Sequence, residues 1–368
     1  MRARKIFLLL MIFGWISAVG FAQTKQTDDD DVLRVETQVV DVPIIVTDKT
    51  GKPLLNLKKN NFAVYEDGKL QEVSDFSTTA APFEVALLLD TSGSTRSDLA
   101  LIQRAAANFI SSLRAGDKVS IIAYKSEKRE NQTSAVSEVL SNLTDDRSKL
   151  KIAIEQAKTS NGTPYYDSLM QVVEKVFGDK PKDEFRGRRA LVALTDGVDS
   201  TSAADFDEVK ESFEKAGITS YFIQVNTREF FEENLLGDCE TAIRFSQAQI
   251  RRYYRQFKNA KMEKATNFCA LGEFERLAIS KSLYDLADFE MQNLAKTSGG
   301  KVFPIADLSD ARNAFKAVAD EIGTKYSLGY YSSNEKRDGT YRKIKIELKS
   351  VPAGAQIRAR EGYTAPTN

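Results

Sequence analysis

The sequence predicts an α/β fold: a doubly wound, mostly parallel sheet inserted in a β-sandwich-like domain formed by strands from the two chain ends. From Phe83 onwards, short apolar runs alternate with amphipathic helical patterns, as in parallel sheets covered by helices on both faces. Before and after that stretch, apolar and polar residues alternate over short runs, as in antiparallel strands. Because either set of terminal strands alone leaves an apolar face uncovered, we expect residues 33–78 and 327–364 to pack together.

Composition excludes several function classes. The chain has 368 residues, with 52 basic and 52 acidic side chains, and it contains no histidine. Without imidazole, neither Ser-His-Asp nor Cys-His nucleophile systems can form, and most zinc and copper sites are excluded. The balanced charge, with no basic block interleaved with aromatic residues, indicates that nucleic acid is not a partner.

The N-terminus has the pattern of a secretory signal peptide over residues 1–22, with a basic start, an apolar middle and small residues at Gly20 and Ala22. A retained membrane anchor is the alternative. Residues 23–32 are an acidic linker, and no later segment is apolar enough to span a membrane. We therefore expect an exported protein, located in the periplasm, on the cell surface or outside the cell.

The terminal β regions are short. Residues 33–78 contain alternating runs around the turns "DKTGKP" and "EDGK", and residues 327–364 contain "TYRKIKIELK" and "AQIRAREGY". Neither region is long enough to form a stable sandwich alone.

The α/β domain is predicted over residues 83–326. Its predicted strands are "FEVALLLD", "DKVSIIAY", "RRALVALTDG", "ITSYFIQV" and "KVFPI". Its predicted helices are "SDLALIQRAAANFISSL", "RSKLKIAIEQAK", "YYDSLMQVVEKVFG", "FDEVKESFEKAG", "DLADFEMQNLAKTSGG" and "LSDARNAFKAVADEIGTKY". Ligands of such sheets bind at the carboxyl ends of the strands.

Residues 227–281 interrupt this alternation and are predicted as a helical insertion. The segment is charged and contains both cysteines, Cys239 and Cys269. Export permits a disulfide between them, which would close a loop in an otherwise polar segment. Two buried free thiols are the alternative.

Hard oxygen donors follow the strands of the α/β domain. In "LLLDTSGSTRS" the buried strand ends at Asp90, Ser92 and Ser94 stand two residues apart, and Gly93 permits a sharp turn between them. Thr163 in "SNGTPYYD" and Asp196 in "ALVALTDG" lie at the ends of other elements. Hydroxyls and carboxylates without soft ligands suit Mg²⁺, with Mn²⁺ or Ca²⁺ as alternatives. The serines alternatively cap the following helix, and Asp196-Gly197 is alternatively only a turn.

These five residues, on this alternating pattern, resemble the metal-ion-dependent adhesion site of von Willebrand factor type A domains over residues 83–326. The resemblance implies a Rossmann-like sheet in which Ser92, Ser94 and Thr163 bind the metal directly, while Asp90 and Asp196 act directly or through water. It also implies that the last coordination position takes a carboxylate from a partner protein. The flanking β regions resemble exported bacterial proteins called von Willebrand factor A-related, known chiefly from Acidobacteria. The cysteine-bearing insertion departs from that pattern.

Three functions from different classes fit the sequence. The first is an exported, Mg²⁺-dependent adhesion or assembly module that captures a carboxylate of another protein. The second is a structural envelope protein whose metal only stabilises the fold. The third is a metal-dependent hydrolase. The lack of histidine and of a spare carboxylate pair near the motif argues against this third function. We therefore expect a binding protein and not an enzyme.

Overall fold

A computed structural model describes residues 39–78, 81–93, 98–129, 132–257 and 267–367. The predicted signal peptide and linker lie outside these residues, as does the start of the N-terminal β region. Within the described part of the chain, no helix is both long and apolar enough to cross a membrane.

The strands, in chain order, are β1 (Val39–Thr47), β2 (Phe62–Glu66), β3 (Lys69–Gln71), β4 (Val73–Ser77), β5 (Glu84–Leu89), β6 (Lys118–Arg129), β7 (Gln132–Thr144), β8 (Arg189–Thr195), β9 (Thr219–Val225), β10 (Lys301–Ile305), β11 (Tyr326–Tyr331), β12 (Tyr341–Leu348), β13 (Gln356–Ala359) and β14 (Gly362–Thr364). The α-helices are α1 (Leu99–Ser112), α2 (Arg147–Glu155), α3 (Tyr165–Gln171), α4 (Phe206–Ala216), α5 (Arg228–Leu235), α6 (Gln247–Arg255), α7 (Glu273–Ser298) and α8 (Ala311–Ile322).

The central sheet has six strands in the order β10-β9-β8-β5-β6-β7. Its strands pair in parallel, except that β7 runs antiparallel to β6. Every residue of β5 is buried, and its side chains alternate between two apolar cores: Leu87 packs in the core on one face and Leu88 in the core on the other. Burial on both faces explains why β5 is a continuous apolar run.

The two chain ends form two four-stranded antiparallel sheets, with the orders β13-β1-β11-β4 and β14-β12-β2-β3. Each sheet contains strands from both ends of the chain. Inward-facing residues of both sheets share one apolar core, which includes Val42, Val64, Leu328 and Ile344. The predicted α/β class, inserted in a β-sandwich-like domain, is confirmed.

The insertion lies between β9 and β10 and has an apolar core of its own. Ile250, Phe268, Ile279 and Leu283 are among the residues of this core. A disulfide joins Cys239 to Cys269 across the segment. The predicted end of the insertion at Lys281 falls inside α7, so the insertion and the next helix are continuous.

Three details differ from the sequence prediction. The edge strand β7 was not predicted, because its polar sequence lacks the apolar run of a buried strand. The helix predicted over residues 165–178 changes after Gln171 to a π-helical turn, Val172–Val176. Tyr326, predicted as the last residue of the α/β domain, is the first residue of β11.

Candidate metal site

Two aspartates lie at the carboxyl ends of adjacent parallel strands. Asp90 follows β5 and Asp196 follows β8, and these strands are paired as far as Leu89 and Leu194. The two side chains are 2% and 9% exposed, respectively. Parallel pairing therefore places two buried carboxylates at one edge of the sheet, where such sheets bind ligands.

Asp90 is held by donors from both strand ends. Its Oδ1 accepts a hydrogen bond from the Ser92 backbone N–H at 3.0 Å, and its Oδ2 accepts one from the Thr195 hydroxyl at 2.7 Å. The Thr195 hydroxyl in turn accepts one from the Gly197 N–H at 2.9 Å. These bonds fix the orientation of Asp90 and connect it to the turn that carries Asp196.

Asp196 is held by two neutral donors. Its Oδ1 accepts from the Val198 N–H at 2.9 Å, and its Oδ2 accepts from the Thr227 hydroxyl at 2.5 Å. Within the described residues, no Lys or Arg forms an ion pair with Asp196. Its negative charge is thus oriented by hydrogen bonds but is not balanced by a cationic side chain.

The electrostatics of this pair favour a cation. Burial and, to a smaller extent, the negative charge of Asp90 together raise the pKa of Asp196 to about 7. Burial also raises the pKa of Asp90, against the opposing effect of its hydrogen bonds. Two desolvated carboxylates that disfavour each other's ionisation are the environment that a divalent cation stabilises.

The loop that carries Thr163 is tied to both carboxylate-bearing loops. The Thr163 N–H donates to the Ser200 hydroxyl at 2.8 Å, and the Ser200 N–H donates to the Thr163 carbonyl at 3.0 Å. On the other side, the Ser160 N–H donates to the Thr91 carbonyl at 2.7 Å. Three loops, from residues 90–93, 160–163 and 196–200, are therefore held together at this edge.

The structure describes two of the three hydroxyl residues that were predicted as ligands. Ser92 and Thr163 are buried, whereas Ser94 lies outside the described residues. Gly93 does not have a positive φ, whereas Gly197, in the turn that carries Asp196, has a φ of 74°. A Cβ at Gly197 would lie 2.9 Å from Met291 Cε, so α7 packs directly against the Asp196 turn.

Two residues near the site were not predicted from the sequence. Asp199 is buried and accepts hydrogen bonds from the N–H groups of Tyr165 and Ser202, so it fixes the start of α3. Thr227, predicted only as the beginning of the insertion, reaches Asp196. Asp199 could have been noticed in the sequence as the second aspartate of the motif "TDGVDS", three residues after Asp196. No local pattern marks Thr227.

The donor set fits a hard divalent cation. Among the described residues, no group of three or more His, Cys, Asp and Glu side chains is placed to hold a metal. A metal at this edge would accordingly depend on two carboxylates supplemented by hydroxyls such as those of Ser92 and Thr163. All of these are oxygen ligands, which Mg²⁺ prefers, and two negative charges match its valence.

Comparison with known proteins agrees with this fold. Residues 85–198 match the family model of the von Willebrand factor type A domain. No curated protein sequence gives a significant match.

Several solved structures show similarity at low identity. A von Willebrand factor type A protein from Catenulispora acidiphila is 12% identical, with 90% of this chain and 75% of that chain covered and a TM-score of 0.42. The VWA domain of SpRpn10 is 14% identical, with 39% and 75% covered and a TM-score of 0.31. Proximal thread matrix protein 1 of the mussel byssus, with a zinc-occupied MIDAS motif, is 12% identical, with 65% and 48% covered and a TM-score of 0.41.

Values this low do not support the transfer of function from those proteins. The family match nevertheless covers the segment from β5 to the turn after β8, which contains both buried carboxylates and the Thr163 loop. Residues 85–198 of the chain are therefore similar to the von Willebrand factor type A domain.

Proposed function

We propose that this chain is a metal-dependent protein-binding module. Asp90, Ser92, Ser94, Thr163 and Asp196 would hold Mg²⁺, with Mn²⁺ or Ca²⁺ as alternatives, and leave a coordination position for a carboxylate of a partner protein. The observation that carries the proposal is the pair of buried, hydrogen-bonded carboxylates at adjacent strand ends within the family-matched segment.

The chain's own residues would prepare the site before a partner arrives. Asp90 and Asp196 supply negative charge, and their hydrogen bonds limit the conformational freedom lost when a cation binds. The Thr163 loop is held at the same edge by Ser160 and Ser200. A bound Mg²⁺ would supply a positive centre for an anionic side chain.

Export is part of the proposal and rests on the N-terminal pattern of residues 1–22. The resemblance of the flanking strands to exported bacterial von Willebrand factor A-related proteins supports it. A disulfide is also consistent with an oxidising compartment.

A catalytic role for the metal is not proposed. The chain has no histidine, and Asp199, the further buried carboxylate in the loop after β8, already accepts hydrogen bonds from two backbone N–H groups. A general base beside the metal, which metal hydrolases need, is therefore not evident among the described residues.

The test is selection of peptide ligands against the immobilised protein with Mg²⁺ present. The proposal predicts that selected peptides contain Asp or Glu, and that chelator, the Asp196→Ala variant and an acid-to-amide change in the peptide each abolish binding. Ligands that bind equally under all these conditions would refute the metal bridge. Metal-dependent thermal stabilisation with no carboxylate-dependent ligand would instead favour the structural role.

A further inference from the structure

The insertion supplies the hydroxyl of Thr227, which contacts the carboxylate of Asp196, and α7, which continues the insertion, supplies the hydroxyl of Tyr284 behind it. Thr227 precedes α5, is 7% exposed, and donates from its hydroxyl to Asp196 Oδ2 at 2.5 Å. The same Thr227 oxygen lies 2.9 Å from the hydroxyl of Tyr284 on α7. Asp196, Thr227 and Tyr284 are thus connected in series.

The direction of these hydrogen bonds follows from the number of protons. An ionised carboxylate only accepts, and a threonine hydroxyl has one proton to donate. Because that proton goes to Asp196, the Tyr284 hydroxyl must donate to Thr227. The tyrosine thereby orients the threonine, and the threonine orients the carboxylate.

The position of Tyr284 is set by the packing of the insertion. Its ring centre lies 6.3 Å from that of Phe231 on α5, and the ring centre of Phe231 lies 5.4 Å from that of Phe245. The Phe231 N–H also donates to the Thr227 carbonyl at 3.0 Å, which fixes the threonine backbone. The apolar core of the insertion therefore determines where both hydroxyls lie.

We propose that Thr227, oriented by Tyr284, is a positioning residue for the metal-binding carboxylate of Asp196, so that the insertion is a functional part of the metal site. The inference rests on the proposed function, because it requires a metal at Asp196. A neutral donor is suited to this role, because it fixes one oxygen while leaving the negative charge and further lone pairs for a cation. A lysine or arginine at the same place would compete with the metal for that charge.

The inference is tested by a Mn²⁺ titration of the mature protein, with free Mn²⁺ followed by electron paramagnetic resonance. Thr227→Val removes the hydroxyl but keeps the shape, and should weaken Mn²⁺ affinity about 10-fold, the lower range for a group that orients a metal ligand. Thr227→Ser should restore affinity to within about twofold, and Tyr284→Phe should weaken it less than Thr227→Val does.

Controls separate positioning from folding. Thr241→Val removes another hydroxyl of the insertion, one that contacts the Asp238 carbonyl, and should leave Mn²⁺ affinity unchanged. If Thr227 acts by positioning Asp196, the order of the variants by melting temperature, measured in chelator, should differ from their order by Mn²⁺ affinity. Wild-type affinity in Thr227→Val, or no rescue by Thr227→Ser, would overturn the inference while leaving the metal site intact. If folded wild type binds no Mn²⁺, the proposed function fails, and this inference fails with it.

Discussion

Arg188 is a buried cation at the junction of the two domains. Its side chain is 0% exposed and donates to the carbonyls of Ala81, Pro82 and Lys325 at 2.6, 3.0 and 3.2 Å. Ala81 and Pro82 lead from β4 into β5, and Lys325 precedes β11. Arg188 therefore bonds to both points at which the chain passes between the sandwich and the α/β domain.

Replacing Arg188 with Met should destabilise the protein by about 3 kcal/mol. The substitution keeps an apolar stem but removes the donor from these three carbonyls and from the carbonyl of Thr78, which lies farther away at 3.4 Å. Each of the three shorter bonds costs about 1 kcal/mol net when it is lost. Burial lowers the pKa of Arg188 to about 10, so the wild-type side chain is still charged at neutral pH. Its hydrogen bonds are charge-assisted, but the substitution also removes the cost of burying that charge, so we count each bond at the ordinary net value.

Urea unfolding at pH 7, followed by circular dichroism, measures this loss. The matched control is Arg186→Met, since Arg186 forms partly exposed ion pairs with Asp75 and Asp183 and should contribute less than about 1 kcal/mol. A free energy of unfolding for Arg188→Met within about 0.5 kcal/mol of the control would refute the reasoning from buried hydrogen bonds.

Three other predictions concern separate parts of the molecule. Gly197→Ala should destabilise the protein by about 1–2 kcal/mol more than Gly51→Ala. Both glycines have a left-handed φ, 74° and 85°, but only at Gly197 would the added Cβ meet a side chain, at 2.9 Å; equal losses in urea unfolding would contradict this. Oxidised protein should contain no alkylatable thiol by mass spectrometry, and replacing Cys239 and Cys269 by Ala should cost roughly 3–4 kcal/mol in the chain-entropy model; finding two free thiols would show that the bond does not form. Burial raises the pKa of Asp41 to about 7, so between about pH 4 and that value the folded state retains a proton that the unfolded state has lost. The contribution of Asp41 to stability therefore falls as the pH rises through this window, and Asp41→Asn should remove at most about 4 kcal/mol of that fall, whereas an unchanged pH dependence would exclude this origin.

The fold was predictable where burial leaves a local pattern. All six residues of β5 are buried, so their sequence is continuously apolar and the strand is evident. Strand β7 has no such run, because it lies at the sheet edge and is held by antiparallel pairing with β6. That pairing is a tertiary property, which the polar sequence of β7 does not express.

The candidate site, likewise, was predictable only where its residues follow apolar strands. Asp90 and Asp196 were identified because each ends an apolar strand, and parallel pairing places both at one edge. Thr227 was not, since it lies 31 positions from Asp196 in the sequence and reaches it only through the path of the insertion. Tyr284 is a further 57 positions from Thr227. Whether the predicted ligands share one metal ion stays a prediction.

The measurement that tests the metal site most directly is a calorimetric titration of Mg²⁺ into the mature wild-type protein and into Asp196→Ala. We predict one Mg²⁺ per wild-type chain and at least about a tenfold loss of affinity in the variant, because removal of one of two carboxylates leaves half of the cation's charge uncompensated. The circular dichroism of the two proteins should be the same, since Asp196 lies beyond the last residue of β8. Equal Mg²⁺ affinity in the two proteins, or no binding by folded wild type, would contradict a metal site at the ends of β5 and β8.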